Sequence, residues 1–157
     1  MKWWDQCIEA HKKAGIPRLV MSYSPKLDTE AELKVMAEYL NAIGSRCNAS
    51  GIRFGYHNHA HEFAKVGNTT MMDYFIANTD PAKVFIEMDV YWAVVGGAAP
   101  VEYMHKYPGR FELLHIKTRR KSDRAEWSAS MPYSATSTRP APRALSWKWK
   151  KPAHRTS

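Results

Sequence analysis

The stretch Gly51-Ile52-Arg53-Phe54-Gly55-Tyr56-His57-Asn58-His59 decides how this chain is read, because its side chains sort into two distinct faces. Successive residues of a strand point to opposite sides. Ile52, Phe54 and Tyr56 therefore share an apolar face, and Arg53, Gly55, His57 and His59 share the other. The far end of the strand turns from apolar to imidazole. A strand ending this way delivers polar groups to one rim of a sheet, which is how parallel α/β barrels build their active sites.

Two segments further along repeat the pattern. Pro81 announces a strand over 84–91, with Val84, Ile86, Met88 and Val90 on the outer side and Phe85, Glu87, Asp89 and Tyr91 on the inner. A strand over 111–117 follows, with Phe111, Leu113, His115 and Lys117 on one side. Helices are expected between the strands. Leu33, Met36, Ala37, Leu40 and Ile43 recur at i, i+3, i+4 and i+7 behind Asp28 or Thr29 as the cap. Shorter helices are expected at 70–78 and 101–107, and Gly96-Gly97 reads as a turn, since it has no phosphate-loop spacing. Upstream, Trp4, Cys7, Ile8 and His11 share one face of an opening helix closed by Ala14-Gly15, and a short buried strand follows over 16–23. Strict alternation of strand and helix is the signature of an α/β fold with a parallel sheet built from βα units.

The chain has 157 residues, whereas an eight-fold barrel needs about 250. The expected fold class is accordingly α/β, a partial (β/α)8 barrel. A half-barrel of this kind is expected neither to fold stably nor to turn over substrate, and to associate through its unpaired sheet edges. The net charge of +8 is confined to one end: residues 1–117 carry 13 Lys+Arg against 13 Asp+Glu. A neutral body gives no electrostatic grip on a phosphate backbone, so no nucleic-acid partner is expected. Nor is a membrane partner, because no apolar run approaches the roughly 20 residues of a span. No signal peptide is visible, and the chain as written reads as cytoplasmic. Cys7 and Cys47 fall in helices without ligand spacing and read as small apolar residues.

After Lys117 the character changes. Ser, Pro, Arg, Lys and Trp crowd together with no period of 2 or 3.6, so the domains are read as 1–117, a partial barrel, and 118–157, a basic low-order tail. The tail has a second reading, in a shifted frame. One base out of phase, the boundary from Trp147 into Lys148 forces a glutamate codon, as does that from Trp149 into Lys150. Synonymous choices elsewhere permit a loop, an amphipathic helix and a strand ending VEVE. Residues 118–157 are therefore expected to be out-of-frame sequence.

The segments 51–59 with Glu62-Phe63, Glu87-Met88-Asp89-Val90-Tyr91-Trp92, Gly96-Gly97, and Gly109-Arg110 leading to His115-Ile116-Lys117 resemble the xylose isomerase-like sugar phosphate isomerase/epimerase family. The resemblance covers roughly residues 1–117 and implies a piece running from about the third helix to the seventh strand of the barrel. It implies one divalent cation, Mn, Mg, Co or Zn, with Asp89 and His115 at the second and third ligand positions of a Glu, Asp, His, Glu set. His57 falls where many relatives carry the first Glu, and the fourth ligand would come from the shifted-frame strand.

The implied activity is a metal-dependent isomerisation or epimerisation of a sugar or sugar phosphate, by proton transfer next to a carbonyl. Because His57 changes the site charge by one unit, a related lyase is the alternative, and a DNA-repair nuclease of the endonuclease IV type is a second. His59 and Lys117 are expected to line the substrate pocket, Glu87 to be an ionic residue of the lumen, and His61 and Glu62 to lie on a solvated loop. The base that moves the proton is not identified, and an oligomer is compatible with the reading.

Overall fold

The computed structural model describes residues 2–117. The expectations for 118–157, tail and shifted frame alike, lie outside the described residues. Helix α1 spans Lys2–Ala14 and buries Trp4 and Ile8. Strand β1, Arg18–Met21, leads into the long helix α2, Glu30–Ala49. Thr29 caps α2 in a reciprocal capping box with Glu32, as its side chain accepts from the Glu32 N–H while the Glu32 carboxylate accepts from the Thr29 N–H. Strand β2, Arg53–His57, is followed by a 3-10 turn at His61–Phe63 and a small antiparallel ribbon of β3, Lys65–Val66, and β4, Thr69–Thr70. Helix α3, Met71–Asn78, precedes strand β5, Val84–Asp89; then come α4, Val90–Val95, α5, Pro100–Lys106, and strand β6, Phe111–His115.

β1, β2, β5 and β6 form a parallel sheet in that order, with helices in each connection. This is the succession of βα units in a barrel wall, and the four strands with their leading helix agree with the expected piece of it. The core lies between the sheet and its helices: Phe54, Tyr56, Val84, Ile86 and Met88 from the strands meet Leu33, Leu40, Ile43, Met72 and Phe75 from α2 and α3. The opposite face of the sheet is thinner and more polar. Its rows are Arg18 and Arg53, then Val20, Gly55 and Phe85, then His57, Glu87 and Leu113, then Asp89 and His115. Gly55 is required by that face, because a Cβ there would lie 2.4 Å from the Phe85 ring. Glu112 ties the lower edge across three strands, 2.8 Å from Arg18 Nε and 3.1 Å from an Arg53 guanidinium nitrogen. Both cysteines are free, and burial pushes the Cys47 thiol up to about 11.

Several expectations are corrected. β1 is shorter than 16–23. β5 stops at Asp89, because the Asp89 carboxylate caps α4 by accepting from the Trp92 N–H at 3.0 Å; Val90 and Tyr91 are therefore helical, with no strand parity. Phe111 does not share the side of Leu113 and His115. The register slips between Ile86 and Glu87, so Phe111 pairs with Ile86 and packs on the helical side while Leu113 pairs with Glu87. Lys117 lies two residues past the end of β6. The β3–β4 ribbon and helix α4 were not anticipated: each β-ribbon strand is only two residues long and α4 only six, too short to display a period.

Candidate metal centre

β5 and β6 end level at the Asp89–His115 pair, and β2 ends one inward row earlier at His57, beside Glu87, so three inward residues from neighbouring strand ends come together. His57, Asp89 and His115 each offer a ligand atom, all within 4.8 Å of one another. Asp89 is fully buried and stands between the imidazoles, its Oδ2 lying 3.7 Å from His57 Nε2 and 3.6 Å from His115 Nδ1. The carboxylate is aimed from both ends. Oδ1 accepts from Trp92 N–H, while the buried Asn58 amide grips the Asp89 backbone, accepting from its N–H at 2.9 Å and donating to its carbonyl at 3.2 Å. That leaves Oδ2 buried without a hydrogen bond. The Lys117 ammonium is 2.9 Å away, which supplies charge, but Oδ2 still lacks an aligned donor.

His57 is oriented from behind. Its Nδ1 faces Glu87 Oε2 at 3.6 Å across the β2–β5 pair, which turns Nε2 toward Asp89. Burial pushes the imidazole below its ordinary range; Glu87 and Asp89 pull it up, His59 and His115 push it down, and the net direction is down. A neutral ring whose Nδ1–H faces a carboxylate presents an Nε2 lone pair to Oδ2. Lone pairs converging on one buried point are the donor set a divalent cation takes, and two imidazoles with one carboxylate suit Mn, Co or Zn better than Mg.

The remaining expected site residues surround this triad. His59 is not among the three converging ligands; its ring is 5.2 Å from that of His57 and 5.7 Å from Trp92, and its Nδ1 is buried without a hydrogen-bond partner. Glu62 was expected on a solvated loop and is instead fully buried. It accepts from the Tyr56 hydroxyl at 2.7 Å and from the His59 N–H at 2.8 Å, while Tyr56 in turn shares a 2.7 Å hydrogen bond with buried Ser24. His61 leans on the same group, with Nε2 3.0 Å from the Ser24 carbonyl. Asn58 and Trp92 were missed as organisers of the centre. Asn58 falls on the outward parity of its strand, and what it does depends on a backbone 31 residues away.

A parallel sheet with helical crossovers and polar side chains gathered at its strand ends is the arrangement of an α/β barrel wall. The chain belongs to the xylose isomerase-like TIM barrel family, whose sequence model matches residues 1–133. It is similar to an inosose dehydratase of Clostridium beijerinckii, 30% identical over 88 residues, which are 56% of this chain and 29% of that protein. An inosose dehydratase of Bacillus anthracis is 27% identical over 109 residues, 69% of this chain and 36% of the relative. Among solved structures, a sugar phosphate isomerase/epimerase from Parabacteroides distasonis superposes with a TM-score of 0.73 at 40% identity, over 75% of this chain and 44% of that one. The chain thus spans about a third of these curated relatives and under half of the solved structure. No helix among the described residues is long and apolar enough to cross a membrane.

Proposed function

We propose that this chain carries part of the active site of a divalent-metal-dependent sugar or sugar phosphate isomerase or epimerase, with His57, Asp89 and His115 as ligands. The observation that carries the reading is the convergence of those three groups, on three neighbouring strand ends, upon a buried carboxylate oxygen without a hydrogen bond. A cation held there would act as a Lewis acid on a sugar carbonyl, stabilising the charge that develops when the adjacent carbon loses a proton. The chain's own residues aim the site: Asn58 and Trp92 fix Asp89, Glu87 turns His57, and the His59 and Trp92 rings stand 5.7 Å apart beside them. His59 and Lys117 are the substrate-facing groups in this reading.

The lyase reading has support of its own. The inosose dehydratase relatives and the histidine in the first ligand position both favour elimination of water from a keto-sugar, which begins with the same proton removal. The nuclease reading is disfavoured by the equal numbers of basic and acidic residues over 1–117.

The experiment is metal analysis of the chain and of His57→Ala, Asp89→Ala and His115→Ala after equilibration with Mn, Co or Zn. One ion per chain is expected in the parent, with more than tenfold weaker binding in Asp89→Ala. Unchanged stoichiometry in Asp89→Ala would sink the reading. With the longer protein, deuterium exchange from solvent next to the carbonyl, followed by NMR, distinguishes proton transfer alone from transfer followed by loss of water.

A further inference from the structure

Lys117 occupies an unusual place. Its Nζ is 2.9 Å from Asp89 Oδ2, the same oxygen that His57 and His115 face, and 5.3 Å and 5.9 Å from the centroids of the Trp92 and Tyr91 rings. The ammonium therefore has two attractions at once, a buried carboxylate and a pair of aromatic faces. The hold on the carboxylate is incomplete: Oδ2 has no aligned donor, and the lysine side chain is 38% exposed. Lys117 lies two residues beyond the end of β6, outside the strand register.

We infer that Lys117 is a resident counter-charge that guards Asp89 while the centre holds no cation and is released toward the substrate pocket when a divalent cation is held. The inference rests on the metal reading above. A lone carboxylate buried at 0% exposure is costly, and an ammonium at Oδ2 offsets part of that cost. Once a dication shares Oδ2, ammonium and cation would be like charges a few ångströms apart, and the lysine keeps only its aromatic contacts. There it stays beside Trp92, whose ring is 5.7 Å from that of His59, and can take an anionic or oxygen-rich group of the ligand. Cation binding and substrate binding are thereby coupled, each favouring the other.

The inference is tested on the 157-residue chain by two readouts that need no turnover. Mn binding, followed by the spin resonance of free Mn, should tighten about tenfold in Lys117→Met, because a competing charge near the carboxylate is gone, and should stay near the parent value in Lys117→Arg. In parallel, pulse acetylation read by peptide mass spectrometry should show Lys117 several-fold more reactive on saturation with Zn, with surface lysines such as Lys12 and Lys34 unchanged. Metal binding that is unchanged or weaker in Lys117→Met, or Lys117 reactivity indifferent to Zn, overturns the release. Failure of the parent chain to bind Mn or Zn at all overturns the metal reading itself, which is a separate result.

Discussion

Glu62 shows how a single residue can support a site without entering it. A fully buried carboxylate is tolerated only when its oxygens are met by donors, and here Tyr56 O–H and His59 N–H each supply one. The second bond fixes the backbone just beyond β2, so it sets where His57, Asn58 and His59 begin to turn. Glu62→Ala leaves the His59 N–H without its acceptor and the Tyr56 hydroxyl with Ser24 alone, and is expected to destabilise the chain by about 2–4 kcal/mol, hydrogen bonds to charged groups being the strong ones. Chemical denaturation measures this; a change under 0.5 kcal/mol would mean the network is not intact in solution. Gly55 makes the complementary point about space. Gly55→Ala drives a Cβ into the Phe85 ring, which Arg53 covers at 5.7 Å, and overpacking of this sort costs about 1–3 kcal/mol. A thermal melt should record the loss, and Phe85→Leu in the Gly55→Ala background should recover part of it.

At the scale of elements, the sheet depends on how its crossovers are clasped. Asp73 at the start of α3 accepts from the Tyr107 hydroxyl at 2.8 Å and the Lys106 ammonium at 3.1 Å, both at the end of α5. Burial pushes the Asp73 carboxyl up, but hydrogen bonds from Tyr107, Lys106 and Thr70 outweigh it and hold the group below the usual carboxylate range. A carboxyl depressed in the folded state binds fewer protons there than in the unfolded chain. Its contribution is therefore complete above the unfolded value of about 4 and is lost as pH falls through the lower folded value. Unfolding free energies of the parent and Asp73→Asn should differ at pH 6 and converge as the pH falls below the unfolded value of about 4; a difference independent of pH would assign the effect to shape instead of charge. α2 is held differently, by its capping box, and Thr29→Ala should cost about 1 kcal/mol.

For the whole molecule, the sheet has β1 at one edge and β6 at the other, and among the described residues neither edge has a further strand. Leu114 at 49% exposure and Ile116 at 73% stand on or just beyond β6, and Trp3 at 63% stands on α1. Open parallel edges beside exposed apolar groups are templates for pairing with another chain. Residues 1–157 in isolation are expected to sediment as an associated species at micromolar concentration, and a sharp monomer over that range would refute the expectation. The same geometry confines the chemistry. The candidate centre draws on three strand ends of one continuous sheet, so its precision is that of the sheet register, and the described residues bring three potential ligands together from a barrel wall of four strands.

The sequence by itself determined the parallel βα order and the inward placement of His57, Asp89 and His115, because both follow from local periods, 3.6 in the helices and 2 in the strands. It also narrowed the α2 cap to Asp28 or Thr29, a contact within one turn of chain, of which the structure uses Thr29. Only the tertiary structure decided the features that join distant segments: the slip that moves Phe111 to the helical side, the helix beginning at Asp89, the Asn58 grip on that residue, the burial of Glu62, and Lys117 resting on Asp89. Each depends on a pairing register or a close approach between elements that are remote in sequence, and side-chain order along one strand carries no record of what its neighbours bring to the same point.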